Sequence, residues 1–322
     1  EKRRLREESM LHKMGLLEND IIEYIYQYLD KKWSHDRCKT FYNGLYSAFE
    51  YYNNKNTVDS LSIEVFLVDD GCTDGTANAV MAEFNDKNIH IIQGTGSLFW
   101  AGGMRLAWRE AYKKHKKWNF YLLLNDDTDI FQDSLALLIK THEYSLAHYN
   151  RCGIYTGATC AKYNRELCTY GGDVWVSKFK GVSKRLPPTG VPQMCDLANA
   201  NILLVPTTVV DEIGFFCEDY QHDYADYDYS IRARKQNIPV LLTSEYCGIC
   251  DNDHAALQDE AVRICSMSFS ERRRYFQHPV HSIKDYLRYI YNTSPMRYPI
   301  VFGGRMLNLF CPKFYYKLHK LR

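Results

Sequence analysis

The chain has no run approaching the roughly 18 to 20 consecutive apolar residues that a membrane span needs. Its N-terminal stretch, EKRRLREESMLHKMG, contains nothing resembling the apolar core of a signal peptide. Membrane contact is therefore expected to be peripheral, and a reducing cytosol is the expected compartment. There is no internal repeat and no low-complexity linker, which argues for one continuous two-part domain rather than a repeat array or two independent units. A disulfide framework is missing too, because the eleven cysteines are odd in number and irregularly spaced. Cys247 and Cys250 have redox or metal spacing, but no second pair completes a zinc site, so both are expected to be ordinary buried thiols. Acids are scarce at one end: from Glu271 to Arg322 there are eleven Lys/Arg against two acids, Glu271 and Asp285. The remainder carries twenty-nine against thirty-seven, and an acidic body of that kind opposes nucleic-acid binding.

What is present suffices for a large core, with 322 residues of which 46% are hydrophobic and 25% charged. Apolar β-favouring runs at Ile63–Val68, Ile89–Gln93 and Phe120–Leu124 stop at polar turn residues and read as short buried strands. Helical patterns separate them: 40–52 before the first, then after Gly75, from Gly103 to about Lys116, and from Ser134 onward. Such alternation predicts a mainly parallel α/β sheet with helices on both faces. After Cys152 the pieces become shorter and more β-like, with a helix expected over the acidic stretch DYADYDYSIRARKQN and a strand at Ile238–Thr243. Residues 1–37 read as an N-terminal helical extension, 38–255 as the α/β domain (halves 38–150 and 151–255), and 256–322 as a basic, aromatic, helical segment.

Three acidic clusters carry the chemistry. VDDGCTDGT (Val68–Thr76) and LNDDTD (Leu124–Asp129) each follow an apolar strand, placing carboxylates at a sheet edge where α/β ligands bind. Closely spaced Asp residues there suit a hard divalent cation that carries phosphate oxygens. Gly71 and Gly75 would let the first turn pass close to a ligand, although a solvated turn capped by Thr73 or Asp74 explains the same residues. The third cluster is HDYADYDYSIRARK, from His222 to Lys235, where Asp226 could serve as a general base or, with Asp228, simply favour a helix start. In GTGSLFWAGGMRLAWREA (Gly94–Ala111), Phe99 stands where a dinucleotide fingerprint wants glycine. Gly102 and Gly103 are read instead as opening a helix whose amides could hold phosphate or a sugar hydroxyl; Trp100 and Trp108 are read as packing residues. His254 is a candidate third metal ligand.

In this order, the three clusters resemble the family 2 glycosyltransferases, inverting nucleotide-sugar enzymes of the GT-A fold. VDDGCTDGT looks like their first nucleotide-binding motif, LNDDTD like their DXD-type metal motif, and ADYDYSIRA like their catalytic motif. GSLFWAGGMRLAW and CDLANANILLVPTTVVDEIGFF look most like the bacterial rhamnosyltransferase-like subgroup. The resemblance implies that Asp69 and Asp70 bind base or ribose, that Asp126 faces the ribose, and that Asp127 holds Mg2+ or Mn2+ on the diphosphate. It also implies that Asp226 is the base and that Asn199 and Asn201 line the sugar or acceptor pocket. Ala225 stands where many members have Glu. The family's opening apolar strand is not recognisable before HDRCKTF (His35–Phe41): either Ile21–Leu29 takes its place, or the chain is rearranged there and the sheet loses a central strand.

The function expected is metal-dependent transfer of a sugar, rhamnose among the candidates, from a dTDP- or UDP-sugar to a saccharide or lipid-linked acceptor in cell-surface polysaccharide synthesis. The basic tail, with aromatics between its charges, fits peripheral contact with the cytoplasmic face of the inner membrane. A non-catalytic nucleotide-sugar-binding relative and an aspartyl-nucleophile phosphatase using Asp127 and Asp129 are the competing classes.

Overall fold

The computed structural model describes residue 40 and residues 42–56, 60–73, 75–85, 87–114, 118–251 and 257–320. The N-terminal extension with its Ile21–Leu29 run, Asp74 and His254 lie outside these residues.

Helix α1 covers residues 42–55. Then come β1 (Val65–Asp69), α2 (Thr76–Glu83), β2 (Ile89–Gln93), α3 (Phe99–Lys114) and β3 (Phe120–Leu124), in the alternation the sequence predicts. β1 and β2 pair in parallel, Val65 opposite Ile89 through to Asp69 opposite Gln93. After a short β4 (Asp129–Ile130), the sequence runs α4 (Ser134–Tyr149), β5 (Ile154–Cys160), β6 (Cys168–Tyr170), β7 (Gly172–Ser177), β8 (Val182–Arg185), β9 (Gln193–Met194), β10 (Leu197–Ala198) and β11 (Ile202–Pro206). Helices α5 (Thr207–Ile213) and α6 (Ala225–Lys235) lead into β12 (Val240–Ile249).

The main sheet has the order β3-β11-β5-β12-β4. β5 and β12 are parallel, but β11 runs antiparallel to both β3 and β5, so the sheet is more mixed than the alternation of its first half implied. The β11 residues alternate between two layers. Leu203 and Val205 pack with Trp108 of α3 and Tyr229 of α6, while Ile202 and Leu204 pack with Leu138 of α4 and Ala48 of α1. Helices thus cover both faces.

Among the described residues the sheet is divided at one place. β1 and β2 form a sheet of their own, and neither β1's edge away from β2 nor β3's edge away from β11 is paired with a strand among the described residues. Between them lies a cavity of about 470 Å³, walled by Val65, Leu67, Leu122, Leu124, Met104 and Leu45 among others. Trp108 also lines it, and its buried indole N–H finds no hydrogen-bond partner among the described residues. The expectation about the opening strand turns on Ile21–Leu29, which lie outside the described residues.

Beyond β12 the chain is helical: α7 (Leu257–Ser266), α8 (Phe269–Gln277), α9 (Ile283–Thr293), α10 (Tyr298–Phe310) and α11 (Pro312–Lys320). A capping box, Ser268 with Glu271, starts α8. α9 docks on α6, where Tyr289 stacks on Tyr224 at 5.0 Å and Asn292 donates to the Tyr220 hydroxyl at 3.1 Å. No helix among the described residues is long and apolar enough to cross a membrane. Cys247 and Cys250 are buried free thiols, and burial pushes each up to about 12.

Candidate active site

A chain of hydrogen bonds links the three acidic clusters along one edge of the body. Asp70 directly follows β1, and its carboxylate accepts from the N–H of Gly96 and of Leu98, both at 2.7 Å. It thereby shapes the loop that leads into α3. Gly94 is needed beneath it, because a Cβ there would fall 2.5 Å from Asp70 Oδ1. Asp69 accepts from Cys72 N–H at 2.8 Å, tightening its own turn, in which Gly71 takes a φ of 84°. Both carboxylates keep part of their surface exposed.

α3 begins at Phe99, itself at a φ of 55°, so Gly102 and Gly103 lie inside its first turns rather than at its start. The leading amides are occupied by the loop before α6: Ala101 N–H donates to Gln221 O at 3.1 Å and Trp100 N–H to His222 Nδ1 at 3.4 Å. Trp100 also donates its indole N–H to Asn125 Oδ1 at 2.7 Å, a polar contact that a packing role did not anticipate. Asn125 N–H in turn donates to Asn201 O at 3.0 Å, tying the end of β3 to the residue before β11.

Beyond Asn125, Asp126 and Asp127 stand exposed. Thr128 is buried and donates to Asp127 Oδ1 at 3.4 Å, while Asn201, also buried, donates to Cys250 Sγ at 3.5 Å. No group of three or more His, Cys, Asp or Glu arranged to hold a metal ion occurs among the described residues. Two exposed carboxylates nevertheless suit Mg2+, which keeps several waters and is bound through one or two carboxylates plus substrate phosphates. The residues present therefore fit a cation that arrives with a diphosphate.

Asp226 lies one step further along. Ala200 N–H donates to its Oδ2 at 3.1 Å and Tyr227 N–H to its Oδ1 at 2.8 Å. Burial nonetheless wins over these donors and pushes the carboxyl up to about 6. Asp223 is pushed higher, to about 7, by burial and then by the charges of Asp226 and Asp285. The two residues of the helix start differ sharply in role: Asp228 is buried and paired with Arg232 Nε at 3.0 Å, with the Tyr220 hydroxyl donating to it at 3.3 Å. Asp228 thus holds the helix in place, leaving Asp226 as the carboxylate beside the Asn199–Asn201 segment. Tyr224, before α6, has a φ of 70°, an unusual conformation for so large a residue.

Behind Asp226, Asn199 donates to the Tyr227 hydroxyl at 3.4 Å, and that hydroxyl donates to Asp173 Oδ2 at 3.2 Å. Asp173 is buried and closed on its other side by Arg185 Nε at 2.5 Å. Asp173, Arg185, Tyr227, His222 and Asp223 were not singled out from sequence. Tyr227 and Asp223 sit within the quoted acidic cluster, but Asp173 and Arg185 come from the β7–β8 hairpin, where only the fold brings them near.

No protein-family model matches the chain, and no curated protein is similar to it. Among solved structures it is similar to a mannosyltransferase from Pyrobaculum calidifontis determined with GDP-mannose and Mn2+, at 18% identity and a TM-score of 0.39, over 83% of this chain and 67% of that one. A likeness so loose adds nothing to the residues themselves.

Proposed function

We propose that the chain is an inverting glycosyltransferase that moves a sugar from a nucleotide diphosphate sugar, of the dTDP or UDP class, to a saccharide or lipid-linked acceptor. The setting would be cell-surface polysaccharide synthesis at the cytoplasmic face of the inner membrane, with rhamnose the sugar that the motif resemblance favours. The observation that carries this reading is the convergence of the three acidic clusters, through Leu98, Trp100, Asn125, Asn201 and Ala200, on one edge that ends in Asp226. Its carboxyl, raised to about 6, is still mostly ionised at neutral pH yet basic enough to accept a proton.

Asp226 would take the proton of an acceptor hydroxyl as its oxygen attacks the anomeric carbon, while the bond to the diphosphate breaks and its electron pair leaves with the phosphate oxygen. Ala200 and Tyr227 amides fix the carboxylate's orientation. Asp127, beside Asp126, would hold Mg2+ or Mn2+; a bound cation supplies charge compensation for the departing diphosphate. Asp69 and Asp70 shape and line the loop that would face base and ribose. A second reading, donor binding without turnover, is favoured by the divided sheet, because the gap adjoins the β1 and β3 ends that carry Asp70 and Asp126.

Calorimetric titration with dTDP, UDP and GDP, with and without Mn2+, tests the site, using Asp127→Ala as control. Metal-dependent binding of one nucleotide, lost in the variant, is the expected result; no binding by well-folded protein would sink the proposal. Binding without sugar transfer to any acceptor in the membrane fraction would select the second reading.

A further inference from the structure

The C-terminal helices present an apolar face that none of the described residues covers. α10 carries a single charge, Arg305, which is directed inward onto the Tyr286 ring at 4.2 Å. Its other side exposes Ile300 (71%) and Phe310, with Met296 (86%) just before it. α11 continues the face with exposed Phe314 and Leu318, beside which stand the exposed Lys313 and Lys317. A contiguous run of large apolar side chains on two successive helices marks an interaction surface.

Charge decides what that surface meets. The two acids between Glu271 and Arg322 are both turned to internal use: Glu271 accepts from Ser268 N–H in its capping box, and Asp285 is buried at the start of α9, where it accepts from Gln221 N–H at 3.0 Å. On α7, Glu260 accepts from the Tyr275 hydroxyl at 3.0 Å. Lys284, Arg273 and Arg274 are exposed alongside Lys313 and Lys317, while Arg288 pairs with Asp219 at 2.9 Å. Apolar side chains flanked by lysines, on short helices with no acid among them, match the interface of an anionic bilayer.

We infer that α10 and α11 lie on an anionic lipid surface, with Ile300, Phe310 and Phe314 entering the headgroup boundary and Lys313 and Lys317 meeting lipid phosphates. Because α9 ties this segment to α6, the helix whose first turn carries Asp226, such contact would hold the candidate site at a fixed height above the membrane. The surface itself stands on exposure and charge and does not depend on the glycosyltransferase reading.

Flotation of the full chain with vesicles of phosphatidylcholine alone, and of phosphatidylcholine with about one-third phosphatidylglycerol, reads binding directly. Association with the anionic vesicles only, weakened by salt, is expected. Lys313→Gln and Lys317→Gln should each lower partitioning about fivefold, the equivalent of about 1 kcal/mol per basic residue near such a surface. Ile300→Glu with Met296→Glu should abolish binding while circular dichroism and Tm stay those of the parent, since both side chains are already exposed. No binding to anionic vesicles, or binding indifferent to these changes, would overturn the inference. So would a concentration-dependent dimer that Ile300→Glu dissociates, which would assign the face to a second copy of the chain.

Discussion

Every residue of β5, from Ile154 to Cys160, and of β11, from Ile202 to Pro206, is buried, whereas every residue of β1, from Val65 to Asp69, keeps part of its surface accessible. The strands are alike in composition, VFLVD against ILLVP. What differs is their neighbours. β5 has strands on both edges, while β1 has β2 on one edge and the cavity on the other. The well-packed flank holds Asp226 through Ala200 and Asn199; the loosely packed flank holds Asp69 and Asp70. The candidate base therefore rests on the rigid part of the molecule, and the residues expected to meet the nucleotide rest on the part with room to move.

The largest effect expected from this contrast is chemical. Asp226→Asn should lower sugar transfer by about 10² to 10⁴, the usual contribution of a positioned general base. Donor binding should survive. Stability supplies the internal control, with its sign fixed by the pKa. The folded value of about 6 lies above the ordinary 3.8, so ionisation of Asp226 opposes folding. That loss begins as pH rises past 3.8 and is complete above about 6. At pH 7.5 the variant should consequently show a Tm equal to or higher than the parent's; a lowered Tm together with lost activity would reduce Asp226 to a structural residue.

Packing comes next. Leu203, 1% exposed, should cost about 2–5 kcal/mol when changed to Ala in urea denaturation. Leu67, which faces the cavity, already lacks neighbours on one side, so Leu67→Ala should cost less than half as much. Equal losses would mean that the two flanks are packed alike. A smaller effect again is the pH profile: below about pH 6, transfer should fall roughly tenfold per unit as Asp226 takes up a proton. Asp223, at about 7 and coupled to Asp226, should broaden that limb rather than sharpen it. A rate that is flat from pH 7 to 5 would remove both carboxyls from the reaction.

Much of this was readable in the chain. Ile89–Gln93 and Phe120–Leu124 form strands with the predicted bounds, and α6 starts inside the predicted acidic stretch, because continuous apolar runs and terminal acids are local signals. The direction of β11 was not readable, since ILLVP reads the same whether it pairs parallel or antiparallel. Within the site, residue types and order pointed to Asp226, but its separation in role from Asp228 required seeing that Arg232, one turn on, closes on Asp228. The Asp173–Arg185 pair behind Tyr227 depends on a hairpin folding back over α6, and no spacing in the sequence encodes that.

The smallest effect probes the gap itself. Ala107, on α3, lines the cavity, and Ala107→Leu adds three carbons to empty apolar space with almost no change in helix propensity. It should stabilise the protein by about 0.5–1 kcal/mol, as cavity filling commonly does. The matching change on the other flank is Gly157→Ala in β5, where a Cβ would fall 2.9 Å from Ile202 Cγ2 and 3.0 Å from Cys247 Cβ. Overpacking of that kind costs about 1–3 kcal/mol. Opposite signs in the two denaturation midpoints would locate the missing volume between β1 and β3. A loss at both positions would mean that side chains already occupy that space, and the looser hold on Asp69 and Asp70 would then need another cause.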